Sequence, residues 1–175
     1  KKNWDDKIVK AKIDEQLHNY DDGELFVEEV FSENILFDDN KIKNASFDHD
    51  KGFGLRAVRG ESVDFTHNSE LSEDAINSAV GFLKSPSQSI PQKTRTSHSK
   101  SNFSLYTDKN PITLVSLKEK ISFLKKINDY SRNIDSTVKE VSVSLNGNHQ
   151  NIEVLTKNGD TFYDSRPLVR MNINI

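Results

Sequence analysis

Turn residues cut this chain into short segments of alternating polarity, and that punctuation constrains its fold more than any other feature. After Asp22-Gly23 come LFVEEVF, ENILFD, KIKNASFD, GFGLRAVR and ESVDFTH, with Asp38-Asp39-Asn40 and Gly60 among the breaks. No helical pattern intervenes, and strands joined directly by tight turns pair antiparallel. An antiparallel meander is therefore predicted. The same grammar returns near the far end, where KEVSVSL, NIEVLT, TFYD and LVRMNINI follow one another, with Asn146-Gly147 and Asn158-Gly159 read as turns. In the last segment Val169, Met171, Ile173 and Ile175 alternate with Arg170, Asn172 and Asn174, the period of a half-buried strand.

Three helices complete the reading. Val9, Ile13, Leu17 and Tyr20 recur at helical spacing between Asp5 and Tyr20. Ser72 caps a second helix, Glu73 and Asp74 favour its positive end, and Leu71 staples onto Ile76, with Ile76, Ala79, Val80 and Leu83 as the buried stripe. Ser116 and Glu119 form a capping box for a third, whose expected buried stripe is Leu117, Ile121, Leu124 and Ile127. The fold class is α+β: mainly antiparallel sheet packed with about three helices.

The expected organisation is two helix-then-strands halves, residues 1–83 and 114–175, joined by a linker or long arm over 84–113. Periodicity fails in that arm, which holds three of the four prolines and many serines, with Phe103, Leu105 and Tyr106 as its one anchoring patch. Both halves belong to one domain of a longer protein. The last strand stops in mid-pattern and the chain does not begin with methionine, so a cut from a longer protein is expected.

Composition narrows the function classes. A hydrophobic fraction of 34% implies a thin core, and a net charge of -3 gives no basic field for a polyanion, so nucleic acid is not expected as a partner. With no cysteine there are no disulfides, thiolate metal sites or cysteine nucleophiles, which fits the cytoplasm. No apolar run is long enough to span a bilayer and the amino terminus lacks a signal-peptide core, so no membrane association is expected.

No complete catalytic or metal-binding constellation is present. His18, His49, His67, His98 and His149 are too far apart for an H-E-x-x-H pair and lie mostly near turns, where solvated histidine is expected. Asp48 to Arg59 begins like a calcium loop but places its glycine one position early and ends on Arg59 in place of glutamate. Gly52 to Ala57 spells G-x-G-x-x-A yet runs into strand, so its glycines are read as a bulge or close backbone approach. Glu28, Glu29 and Glu33 are read as solvated carboxylates on alternating faces. Arg56 and Arg166 could clamp a carboxylate, against the commoner outcome of salt bridges within the sheet. Glu33, Arg56 and Arg166 are the candidate substrate or partner contacts; no catalytic residue and no metal ligand is assigned.

The ordered run of the SEN segment centred on Glu33, D-x-x-I-K through Lys43, SFD at Ser46 to Asp48, GFGLRAV, and the LSEDA helix start at Leu71 resembles the opening domain of the TldD/PmbA family of metallopeptidases. SLYTDKNPI, the helix through Asn128-Asp129, KEVSVSL and DSRPLVRMNINI resemble the TldD side of that family in the same order, so the resemblance covers nearly the whole chain. It implies a bacterial cytoplasmic zinc peptidase acting with a PmbA-type subunit (also called TldE) or with itself as a dimer. It further implies peptide substrates, microcin-type peptide maturation, and an older label as a modulator of DNA gyrase. The family's H-E-x-x-x-H zinc helix belongs to a later domain, so zinc is implied for the whole protein and no cofactor for this chain. The resulting expectation is an amino-terminal domain that shapes the substrate chamber and partner interface without catalysing. Its alternatives are a free-standing module that captures peptides by strand addition, or a gyrase modulator.

Overall fold

The structure, a computed structural model, describes residues 2–83 and 105–175. Asp5 accepts from the Lys7 amide at 2.8 Å and opens α1 (Asp6–Leu17), which buries Val9, Ile13 and Leu17. Three strands follow: β1 (Asp22–Asp38), β2 (Lys41–Arg59) and β3 (Ser62–Asn68). Helix α2 (Glu73–Phe82) is capped by the Ser72 hydroxyl, 3.2 Å from the Ala75 amide. After the short α3 (Pro111–Leu114) and the long α4 (Leu117–Ile134) come β4 (Ser142–Thr156) and β5 (Thr161–Asn174). The antiparallel sheet has the order β3-β2-β1-β4-β5: the predicted meander with a second hairpin added beside β1.

The predicted fragments are longer strands. LFVEEVF and ENILFD are both β1, KIKNASFD and GFGLRAVR are both β2, and the four later segments are the two strands β4 and β5. Polar residues hid this continuity, because residues 41–51 are exposed on both strand faces, so their polarity looks like a turn. Asn146-Gly147, read as a turn, lies inside β4. A Cβ on Gly147 would stand 3.0 Å from Ile112 Cγ1, so the glycine serves close packing. The turns at Asp39-Asn40, Gly60 and Gly159 are as expected, with φ of 47° and 60° at the first pair, the signature of a two-residue hairpin. Pro167 sits in β5, an edge strand, where a missing donor is tolerated.

Two compact units divide the chain. Among the described residues the first comprises 2–29, 50–83 and 151–164, and the second 30–49, 105–150 and 165–175. In the first, α1 and α2 bury Ile13, Leu17, Ile76 and Ala79 with Leu25, Leu55 and Leu155 from the strands, and Trp4 meets Phe53 edge-on at 6.2 Å. Each fully buried aliphatic side chain here stabilises by about 1.5–3 kcal/mol. Gly52 lies close against its neighbour strand as predicted, since a Cβ there would stand 2.9 Å from the Asn68 carbonyl.

In the second unit Leu124 of α4 packs on Ile35, Phe37, Val141 and Val143. The helix is turned from its predicted face. Its buried line is Lys120, Leu124, Asn128 and Ser131, whereas Leu117 is exposed and Ile121 and Ile127 are half-buried. Apolarity alone misplaced the stripe because three of the four inward positions are polar, with Lys120 and Asn128 held there by hydrogen bonds. Val169, Met171 and Ile173 on β5, and Ile175 just after it, are exposed, so the predicted half-buried strand has no buried face among the described residues. Leu105 and Tyr106, expected to anchor the arm, are also exposed, and Phe103 lies outside the described residues. Within the described residues no helix is long and apolar enough to cross a membrane.

Candidate functional site

Strand alternation divides the second unit into two surfaces. Glu33, Ile35 and Phe37 of β1 project to the side covered by α4, while Ser32 and Asn34 project to the other. The capping box of α4 is complete, with the Glu119 carboxylate accepting from the Ser116 amide at 3.0 Å and the Ser116 hydroxyl accepting from the Glu119 amide at 3.3 Å. This fixes the first turn and aims Lys120 inward. Its Nζ donates to Glu33 Oε2 and to the Ile112 carbonyl, each at 2.6 Å. The side chains of Lys120 and Glu33 are 8% and 13% exposed, a buried ion pair that is costly to leave half-made.

Glu33, read from the sequence as a solvated carboxylate, is thus buried and paired. Lys120 was missed altogether. The signal for it was a lysine in line with Leu124 and Asn128 at i, i+4 and i+8, a spacing that carries it onto the buried face.

Glu33 lines two clefts. One, of about 340 Å³, is lined by Ile112, Val115, Phe123, Leu145 and Val169, with Glu33, Glu119 and Lys120 as its charged members. The other, of about 450 Å³, lies on the polar side among Ser32, Asn34, Asp48, Asn148, Arg170 and Asn172. Amides and hydroxyls meet across strands on that side. Asn34 donates to Asn146 at 2.6 Å, Asn172 to Ser144 at 3.2 Å and Asn148 to Ser32 at 3.4 Å. Such a surface can exchange its side-chain hydrogen bonds for those of an amide-bearing ligand.

Arg56 belongs to the first unit, where its Nε and Nη2 donate to Glu24 at 3.1 Å and Asp22 at 2.9 Å. This is the salt-bridged outcome. Arg166 is an exposed residue of β5 in the second unit.

His149 is a further correction. It is buried in mid-strand, its Nε2 2.9 Å from Ser165 Oγ and its ring near Phe31, while Nδ1 has no hydrogen-bond partner. A serine-histidine pair is present, but the orienting carboxylate that would complete a triad is absent at Nδ1 among the described residues. His49 stacks on Phe31 at 4.3 Å, and His98 lies outside the described residues. No group of three or more His, Asp or Glu side chains able to hold a metal occurs among the described residues, so these residues do not fit a zinc centre.

Comparison with known families decides the affiliation. Residues 23–82 match the model of PmbA/TldA metallopeptidase domain 1, and residues 110–175 match that of the PmbA/TldA metallopeptidase central domain. The chain belongs to the PmbA/TldD family. The Metalloprotease TldD homolog of Buchnera aphidicola from Acyrthosiphon pisum is 30% identical over 158 residues, 89% of this chain and 32% of that protein. The Haemophilus influenzae homolog is 28% identical over 161 residues, 90% of this chain and 33% of its own length. The chain therefore spans about a third of the curated relatives it matches.

Solved structures share the fold. TldE from Thermococcus kodakarensis superposes with a TM-score of 0.65 at 15% identity, covering 94% of this chain and 38% of that one. A Thermotoga maritima protein named for modulation of a DNA gyrase gives 0.67 at 11% identity, covering 95% and 42%.

Proposed function

We propose that this chain serves as the amino-terminal part of a TldD-like zinc metallopeptidase, forming walls of its substrate chamber and contacts to a TldE-type subunit, with the zinc site on residues outside this chain. The observation that carries this reading is the succession of the two family domains, in order, over 23–82 and 110–175. The lack of a fitting ligand set among the described residues supports placing the metal elsewhere, and no catalytic step is assigned to this chain. The polar cleft and the exposed apolar side chains of β5 support a role in contact with peptides or another polypeptide surface. Cytoplasmic location and action on small or unfolded peptides belong to the same proposal.

Deletion of these residues from the longer protein tests it. The shortened protein is expected to lose peptide cleavage or assembly with its partner; full retention of both would contradict the proposal. A second reading, a module that binds extended peptides by strand addition, is favoured by one observation. Val169, Met171 and Ile173 are each more than two-fifths exposed on β5, the last strand of the sheet.

A further inference from the structure

Asn-Gly occurs twice in the chain, at 146–147 and 158–159, and the fold gives the two dipeptides opposite surroundings. In this dipeptide the glycine amide nitrogen can reach the side-chain carbonyl carbon of the asparagine before it, because no Cβ stands in the way. The backbone between them must be able to turn for that to happen.

Asn146-Gly147 is held. It lies inside β4, an inner strand flanked by β1 and β5, so turning its backbone would break the sheet. The Asn146 side-chain oxygen accepts from Asn34 Nδ2 at 2.6 Å, and Gly147 packs against Ile112. Asn158-Gly159 instead occupies the tip of the β4–β5 hairpin, between Thr156 and Thr161. Asn158 is exposed, and Gly159 has a φ of 76°. Two backbone bonds close this turn, the Gly159 amide to the Thr156 carbonyl at 2.9 Å and the Thr156 amide to the Asp160 carbonyl at 3.0 Å. The turn leads into an edge strand, so it can open locally while the rest of the sheet stays paired.

We propose that Asn158 is a site of spontaneous deamidation and that the sheet protects Asn146 from the same reaction. The Gly159 nitrogen bonds to Asn158 Cγ, the carboxamide nitrogen leaves as ammonia carrying the proton that the Gly159 nitrogen gave up, and a five-membered succinimide closes. Water, the only co-reactant, then opens the ring at either carbonyl. One opening gives aspartate; the other gives isoaspartate, in which the main chain runs through the former side chain. Both add a carboxylate at the tip, but only isoaspartate lengthens the turn. The neighbouring Lys157 donates its amide to the Gly23 carbonyl at 2.9 Å and its ammonium to the Tyr20 carbonyl, so a lengthened turn disturbs the contact that the hairpin makes with the start of β1.

The test is peptide mapping by mass spectrometry of the chain aged at physiological pH and temperature, folded and in guanidinium chloride. In the folded chain, conversion at Asn158 should be at least about tenfold faster than at Asn146, well within the range that local-opening equilibria span. Denaturant removes the difference in structure, so the two rates should then agree within about threefold. Equal rates in the folded chain would overturn the proposal. So would a tenfold ratio that persists in denaturant, because the preference would then belong to the flanking residues and not to the fold. The isoaspartate form, separated by chromatography, should melt below both the fresh protein and Asn158→Asp; equal midpoints would overturn the consequence drawn for the hairpin.

Discussion

Lys120 Nζ lies 2.6 Å from Glu33 Oε2 and the same distance from the Ile112 carbonyl, so one ammonium ties α4 to both β1 and α3. Removing either charge strands the other in a poorly solvated site. Lys120→Met or Glu33→Leu alone should each destabilise by about 3–5 kcal/mol, whereas the double variant should lose much less than the sum. Urea denaturation of the four proteins measures this, and additive losses would show that the pair is not coupled.

Asn128 is completely buried on α4, where its Nδ2 donates to Asn40 Oδ1 at 2.6 Å in the β1–β2 turn. Asn128→Ala leaves that turn acceptor unmatched and should cost about 1–3 kcal/mol. A drop in thermal midpoint checks it; an unchanged midpoint would mean that water replaces the amide without loss.

Gly52 tests the packing reading of the glycine pair. Alanine there would bring a Cβ to 2.9 Å from the Asn68 carbonyl, a backbone atom that cannot rotate away. Gly52→Ala should therefore destabilise by roughly 1–3 kcal/mol. Gly81→Ala, with open space around the new carbon and a helical position, should stabilise by about 0.5–1 kcal/mol. Parallel chemical denaturation of both variants decides the point.

Acid should weaken the fold. Asp6 is held below its ordinary value first by the Lys2 ammonium, Glu119 by the Ser116 hydroxyl, and Asp135 by the Thr137 amide. A depressed folded-state value means that the stabilisation is fully present above the unfolded-state value and is lost as pH falls through the folded one. Stability measured against pH should hold down to about the ordinary carboxylate range near 4 and then decline. Asp135→Asn should make that decline shallower, and an unchanged slope would remove Asp135 from the account.

Much of this architecture was legible because local chemistry agreed with the fold. Ser72 and the Ser116–Glu119 box marked two helix starts to the residue, and Asp39-Asn40, Gly60 and Gly159 marked real turns. Several failures share one cause, polar residues used inside the structure. Asn146 stays in the ladder because Asn34 satisfies its side chain, and Lys120 and Asn128 turn inward because Glu33 and Asn40 await them. No periodicity of apolar residues reports such pairings, since each partner lies far away along the chain. The exposed apolar side of β5 was missed for the converse reason. Alternation shows that a face suits burial, not what buries it.

Zinc content and EDTA-sensitive cleavage of a flexible peptide, measured side by side on this chain and on the longer protein proposed to carry it, test the central claim most directly. The longer protein should hold zinc and cleave, and this chain should do neither. Stoichiometric zinc on the isolated chain, with cleavage abolished by EDTA, would contradict the account.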